Sequence, residues 1–89
     1  MAKVEIYTSP FCGFCWRAKS LLKDKGVDYE EIDIIFHPSR RPEMLQRAEG
    51  SHTVPQIFID DAHIGGCDEL LELDHKGGLD PLLGAPSTS

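Results

Sequence analysis

Two cysteines in the run Cys12-Gly13-Phe14-Cys15 are the residues of this chain whose type and spacing best suit chemistry. On a helix, positions i and i+3 lie on neighbouring turns, close enough for their sulfurs to bond. A cysteine placed where a helix begins lies among unpaired N–H donors and at the positive end of the helix dipole, which favours a thiolate. The second cysteine then lies one turn inside, on the apolar side. Cys12 is therefore expected to be an exposed, ionised nucleophile and Cys15 a protected, resolving thiol. An ordinary thiol of pKa about 8.5 is only a few per cent ionised near neutrality, so full ionisation raises the reactive fraction about thirty-fold. Nucleophilicity falls at the same time with a Brønsted slope of about 0.4–0.5, which cancels most of that gain. The larger benefit is that such a sulfur leaves readily when another thiol attacks it. The competing chemistry for this pattern is half of a zinc site, completed by His63 and Cys67. Both lie much farther along the chain than the short ligand spacing of zinc ribbons or fingers allows.

The surrounding pattern supplies a strand before the motif and a helix after it. Residues 3–8 alternate and are rich in β-branched and aromatic side chains, as a strand requires. Ser9-Pro10-Phe11 breaks this strand, and residues 13–25 then repeat with helical period, placing Cys15, Ala18, Leu21 and Leu22 on one stripe. Gly26 suits a left-handed stop. A second strand is predicted over 27–35, a short helix over 41–49, and a continuous apolar strand, buried on both faces, over 56–59. Asp60-Asp61 turns the chain into a partner strand over 62–64. Asp68 is the expected N-cap of a last helix running to about residue 76, which Gly77-Gly78 ends. The order β-α-β-α-β-β-α implies an α/β fold in which a right-handed crossover pairs the first two strands in parallel and the last two pair antiparallel. The result is a mixed four-stranded sheet flanked by three helices. One domain over residues 1–84 is expected, followed by a loose tail over 85–89.

Composition excludes several function classes. The 89 residues carry nine basic and fifteen acidic side chains, a net charge of −6, which argues against nucleic acid as a partner. The balance is uneven: residues 1–47 hold eight basic and seven acidic groups (+1), and residues 48–89 hold one basic and eight acidic (−7). An anionic ligand must look to the first half, or to backbone N–H groups. No apolar run approaches the roughly 20 residues of a membrane span, and the first residues do not read as a signal peptide. A cytoplasmic protein acting as a monomer is expected, with no membrane partner. Three cysteines in such a compartment do not form a disulfide framework, and Cys67 reads as a small, partly buried thiol. Trp16 lies off the apolar stripe, either half-buried or touching partners.

Four segments together resemble the glutaredoxin family: Ile6-Tyr7-Thr8, Cys12-Gly13-Phe14-Cys15, Thr53-Val54-Pro55-Gln56-Ile57-Phe58-Ile59 and Gly65-Gly66-Cys67-Asp68. The resemblance spans residues 3–83. It implies a thioredoxin-like fold, glutathione as co-substrate, and reduction of glutathione mixed disulfides or protein disulfides through Cys12 and Cys15. It further implies a cis peptide before Pro55, and glutathione contacts from Phe14, Arg41, Thr53, Val54, Pro55, Gly66, Cys67 and Asp68. The Cys67 and Asp68 amides would meet one carboxylate of glutathione, Asp68 its ammonium, and Arg41 its other carboxylate. Gly65-Gly66 would let backbone approach the ligand closely. The chain departs from the family pattern at Ser9, where many relatives carry lysine, at Ser51-His52, commonly more basic, and at Phe14, usually tyrosine. Gly13 replaces the commoner proline. Relatives with a small residue there sometimes hold a [2Fe-2S] cluster between two subunits through the first cysteine and glutathione, which makes a cluster carrier or sensor the alternative reading.

Overall fold

The computed structural model describes residues 2–84, so the expected tail over 85–89 lies outside the described residues. Four strands, β1 (Val4–Thr8), β2 (Glu30–Asp33), β3 (Gln56–Ile59) and β4 (Ala62–Gly65), form one sheet in the order β2-β1-β3-β4. β1 runs parallel to β2, with Tyr7 opposite Ile32, and antiparallel to β3, with Ile6 opposite Ile57. β3 and β4 form the expected hairpin. Its turn residues Asp60 and Asp61 both adopt positive φ, 51° and 69°, as tight two-residue turns demand. The Asp60 carboxylate also accepts a hydrogen bond from the Lys3 N–H at 2.8 Å.

Alternation along the central strands sends side chains into two cores. Val4, Ile6, Ile57 and Ile59 pack on one face with Ala18 and Leu22 of α1 (Gly13–Asp24), Cys67 and Leu70 of α3 (Cys67–His75), and Leu79 and Leu83 of α4 (Leu79–Leu83). Tyr7, Ile32 and Phe58 face the other way and meet Met44 and Ala48, at and just beyond α2 (Arg41–Arg47). The α2 face carries a polar network as well. Arg47 donates to both Glu5 carboxylate oxygens, at 2.7 and 3.1 Å, and to the Tyr7 hydroxyl at 2.8 Å. Its guanidinium lies 4.1 Å from the centre of the Phe58 ring. Tyr7 in turn donates to Glu43, which Arg40 grips with two further bonds.

Three expectations need correction. The second strand is shorter than predicted, because the Asp33 side chain captures the N–H groups of Ile35 and Phe36 and turns the chain. The last predicted helix begins two residues earlier: Gly66 is its N-cap, and Asp68 lies within the first turn. The described residues contain four α-helices and a 3₁₀ turn over Pro38–Arg40, where three helices were expected. The missed helix, α4, contains Pro81. Proline is tolerated in a first turn because the N–H it lacks has no helical partner there, and the buried Leu79 and Leu83 hold the segment down.

Candidate functional site

The chain leaves β1 at Thr8, turns over Pro10 and Phe11, and enters α1 with Cys12 as its N-cap. The Cys12 carbonyl accepts the first helical bond, from the Trp16 N–H at 3.2 Å. The Cys12 sulfur meanwhile accepts a hydrogen bond from the Cys15 N–H at 3.1 Å. A donor that a helix start leaves unpaired is thus aimed at the sulfur, and a thiolate strengthens such a bond. In its thiol form Cys12 also donates to the Val54 carbonyl, 3.6 Å away. All three cysteines are free thiols; Cys12 is partly exposed, and Cys15 and Cys67 are buried.

Burial separates the two thiols of the motif chemically. Removal from water, first, and a hydrogen bond to Cys12, second, push the Cys15 thiol up to about 12. Cys67 is raised as well, again chiefly by burial, with the positive charge of Arg17 pulling the other way. Cys15 is therefore a protonated thiol whose N–H serves its neighbour.

Beside Cys12 runs an open groove of about 180 Å³, lined by Phe14, Thr53, Val54, Pro55, Gly66, Cys67, Asp68 and Glu69. Two loops form its walls. One holds the Val54–Pro55 peptide in the expected cis form. The other is the junction from β4 into α3, where the Gly66 N–H donates to the Glu69 carboxylate at 2.7 Å. Gly65 is obligatory for this packing. Its φ is +119°, and a Cβ there would lie 2.9 Å from the Glu69 side chain. The glycine pair thus makes room for a capping carboxylate at Gly65, whereas at Gly66 a Cβ would press on the Pro55 carbonyl across the groove at 3.3 Å.

Seven of the eight residues expected to contact glutathione line this groove. Arg41 does not; it is the exposed first residue of α2. Glu69 was not anticipated, although its place three residues after the helix cap is the spacing of a capping box. His63 does not join the cysteines. Its ring stacks on Phe58 and its Nε2 meets Gln56 Oε1 at 2.6 Å. Among the described residues no group of three or more His, Cys, Asp or Glu side chains is placed to hold a metal ion. Trp16 is exposed, as are Phe11 and Phe14, so three aromatic side chains in and beside the Cys12–Cys15 turn face solvent. No described helix is long and apolar enough to cross a membrane.

Comparison with known proteins follows this geometry closely. The family model described as Glutaredoxin matches residues 4–64. The chain is 58% identical over 83 residues to Glutaredoxin 3 of Escherichia coli K12, covering 93% of this chain and 99% of that one. A crystal structure of a buckwheat glutaredoxin–glutathione complex superposes with a TM-score of 0.83 at 33% identity, covering 97% of this chain and 83% of the other. The solution structure of a glutaredoxin from Brucella melitensis gives 0.79 at 51% identity, covering 93% and 89%.

Proposed function

The chain belongs to the glutaredoxin family and is a glutathione-dependent thiol–disulfide oxidoreductase, and we propose that Cys12 is its nucleophile, Cys15 its resolving thiol and the groove beside them its glutathione site. The observation that supports this reading best is the sulfur of Cys12, at a helix cap, receiving the Cys15 N–H at 3.1 Å while bordering Val54 of the groove. In the proposed cycle the Cys12 thiolate attacks the glutathione sulfur of a mixed disulfide. A Cys12–glutathione disulfide forms and the substrate leaves as its thiolate. The thiolate of a second glutathione then attacks the glutathione sulfur on Cys12, giving oxidised glutathione and restoring the Cys12 thiolate. With a protein disulfide, Cys12 forms the mixed disulfide and the Cys15 thiolate displaces the substrate, leaving a Cys12–Cys15 bond for glutathione to reduce.

The groove offers glutathione mainly backbone. No lysine or arginine lines it, and Asp68 and Glu69 give it a negative wall. A carboxylate of the ligand would meet the N–H groups at the start of α3, and its ammonium would pair with Asp68. Thr53, Val54 and Pro55 would flank the cysteinyl part, with Phe14 packing beside it. Arg41 belongs to this proposal only as a long-range cation. A reducing compartment such as the cytoplasm, and action as a monomer, suit such a cycle.

A [2Fe-2S] carrier is the second reading, and one observation favours it. A Cβ at Gly13 would meet nothing within 4 Å, so the backbone beside Cys12 lies open to a bulky group. Cys12 is the one thiol of the three that is not buried, so a cluster would need two copies and two glutathione sulfurs. The deciding experiment is reduction of a glutathionylated peptide by Cys12→Ser and Cys15→Ser. Cys12→Ser should be inactive and Cys15→Ser should keep this activity. Full turnover by Cys12→Ser would end the redox assignment, and a coloured dimer after anaerobic reconstitution would favour the carrier.

A further inference from the structure

Gln56 is the first residue of β3, 3% exposed, and its carboxamide is fully engaged. Its Nε2 donates to the Thr53 carbonyl at 2.9 Å, to Ser51 Oγ at 2.9 Å and to Thr53 Oγ1 at 3.2 Å. A carbonyl can only accept, so the NH₂ end of the amide must face the loop. Oε1 therefore faces His63, whose Nε2 must carry the hydrogen in their 2.6 Å contact. The His63 ring is itself fixed by stacking on Phe58, 5.1 Å between centres.

This chain of contacts ends on one peptide plane. The Thr53 carbonyl and the Val54 N–H belong to the same rigid unit and point in opposite directions. Holding the carbonyl against Gln56 aims the Val54 N–H away from the strand. Among the described residues that N–H has no hydrogen-bond partner, and Val54 lines the groove. We propose that Gln56, braced by His63, is a positioning residue that orients the Val54 N–H toward a main-chain acceptor of bound glutathione. This inference rests on the assignment of the groove to glutathione. Neither side chain lines the groove, and both act through the loop.

The test uses the full chain with Gln56→Met, which keeps length and removes every bond, and His63→Phe, which keeps the stacked ring and removes only the brace. Initial rates are measured over a range of glutathionylated peptide at fixed reduced glutathione, with the same peptide as its mixed disulfide with cysteine for comparison, together with the iodoacetamide reactivity of Cys12. Gln56→Met should raise the KM for the glutathionylated peptide about five- to tenfold, the worth of one hydrogen bond, with kcat within about twofold. His63→Phe should raise KM about two- to threefold. Cys12 alkylation should match the parent protein in both. A merely structural role would lower the active fraction, and hence kcat, at constant KM. An unchanged KM in folded Gln56→Met overturns the proposal; should that variant not fold, an unchanged KM in His63→Phe does so. A parent protein that reduces the glutathionylated peptide no faster than the cysteine mixed disulfide would instead remove the groove assignment beneath it.

Discussion

The difference in environment between Cys12 and Cys15 sets a difference in alkylation rate that can be worked out. Held at about 12, Cys15 is ionised to about one part in 10⁵ near pH 7. Free cysteine, of pKa about 8.5, is roughly 3% ionised there, so the thiolate of Cys15 is about 3,000-fold scarcer. A more basic thiolate is also a better nucleophile. With a Brønsted slope of about 0.4–0.5 acting over about 3.5 pH units, that returns about 25- to 55-fold. Cys15 should therefore react about 50- to 120-fold more slowly than free cysteine before any steric shielding is counted. Shielding adds to this, since only 1% of Cys15 is exposed. Brief treatment of the reduced protein with iodoacetamide near pH 7, followed by fragment-ion localisation on the peptide spanning residues 4–17, reads both sites at once. The label should fall on Cys12. In Cys12→Ser, Cys15 should remain slower than free cysteine, because burial is the first cause of its shift. Cys15 labelling in the folded protein within tenfold of the free amino acid would refute the reasoning.

Arg47 is the hub of the α2-face network, and Arg47→Met would strand the nearly buried Glu5 carboxylate. Loss of about 2–4 kcal/mol in urea unfolding is expected, and recovery of part of it in the double variant with Glu5→Gln. The same network predicts a pH dependence. Hydrogen bonds from Arg40 and then Tyr7 lower Glu43 to about 2, and Arg47 lowers Glu5. Folded values depressed below the unfolded value give stability that is present above about pH 4.5 and is lost as pH falls toward 2. The urea midpoint should decline over that window, and less steeply in Glu43→Gln. Gly65→Ala should cost about 1–3 kcal/mol in the same assay through its φ of +119° and its 2.9 Å approach to Glu69. Gly13→Ala should be tolerated, since nothing lies within 4 Å of the added methyl.

The parts of the fold legible in the sequence were those whose signals are local. Gln56–Ile59 and its turn announce themselves by an apolar run ending in two aspartates, and α1 by a stripe that closes at Gly26. The C-x-x-C pair could be placed at a helix start because Ser9-Pro10 separates it from a strand. The errors came where a side chain competes with the backbone. Asp33 ends β2 by taking two N–H groups that further pairing would have used. Glu69, not Asp68, serves the N-terminus of α3, because the cap lies at a glycine that leaves the donor for a carboxylate three residues on. Arg41 enters the ligand set by resemblance alone, and no local physics ties it to the groove. The anchoring of Gln56 by Ser51, Thr53 and His63 depends on a loop meeting a neighbouring strand, which no periodicity encodes.

In the proposed cycle the arrangement of the two thiols also lets a buried cysteine resolve a disulfide. In the reduced protein Cys15 is held protonated by three effects: burial, its hydrogen bond to Cys12, and the charge of Cys12. Two of the three are properties of the free Cys12 sulfur. In a mixed disulfide the Cys12 sulfur carries no charge and is a poor acceptor, so burial alone continues to oppose ionisation of Cys15. The incoming disulfide thus removes part of what kept the second thiol quiet. Cys15 ionises more easily when there is a disulfide at Cys12 to attack, and returns to its protonated state when Cys12 is released. A single N–H, from Cys15 to the Cys12 sulfur at 3.1 Å, supports that sulfur throughout the waiting state. The helix start therefore supplies both a donor for one sulfur and a shield for the other, and occupancy of the first sulfur controls the second.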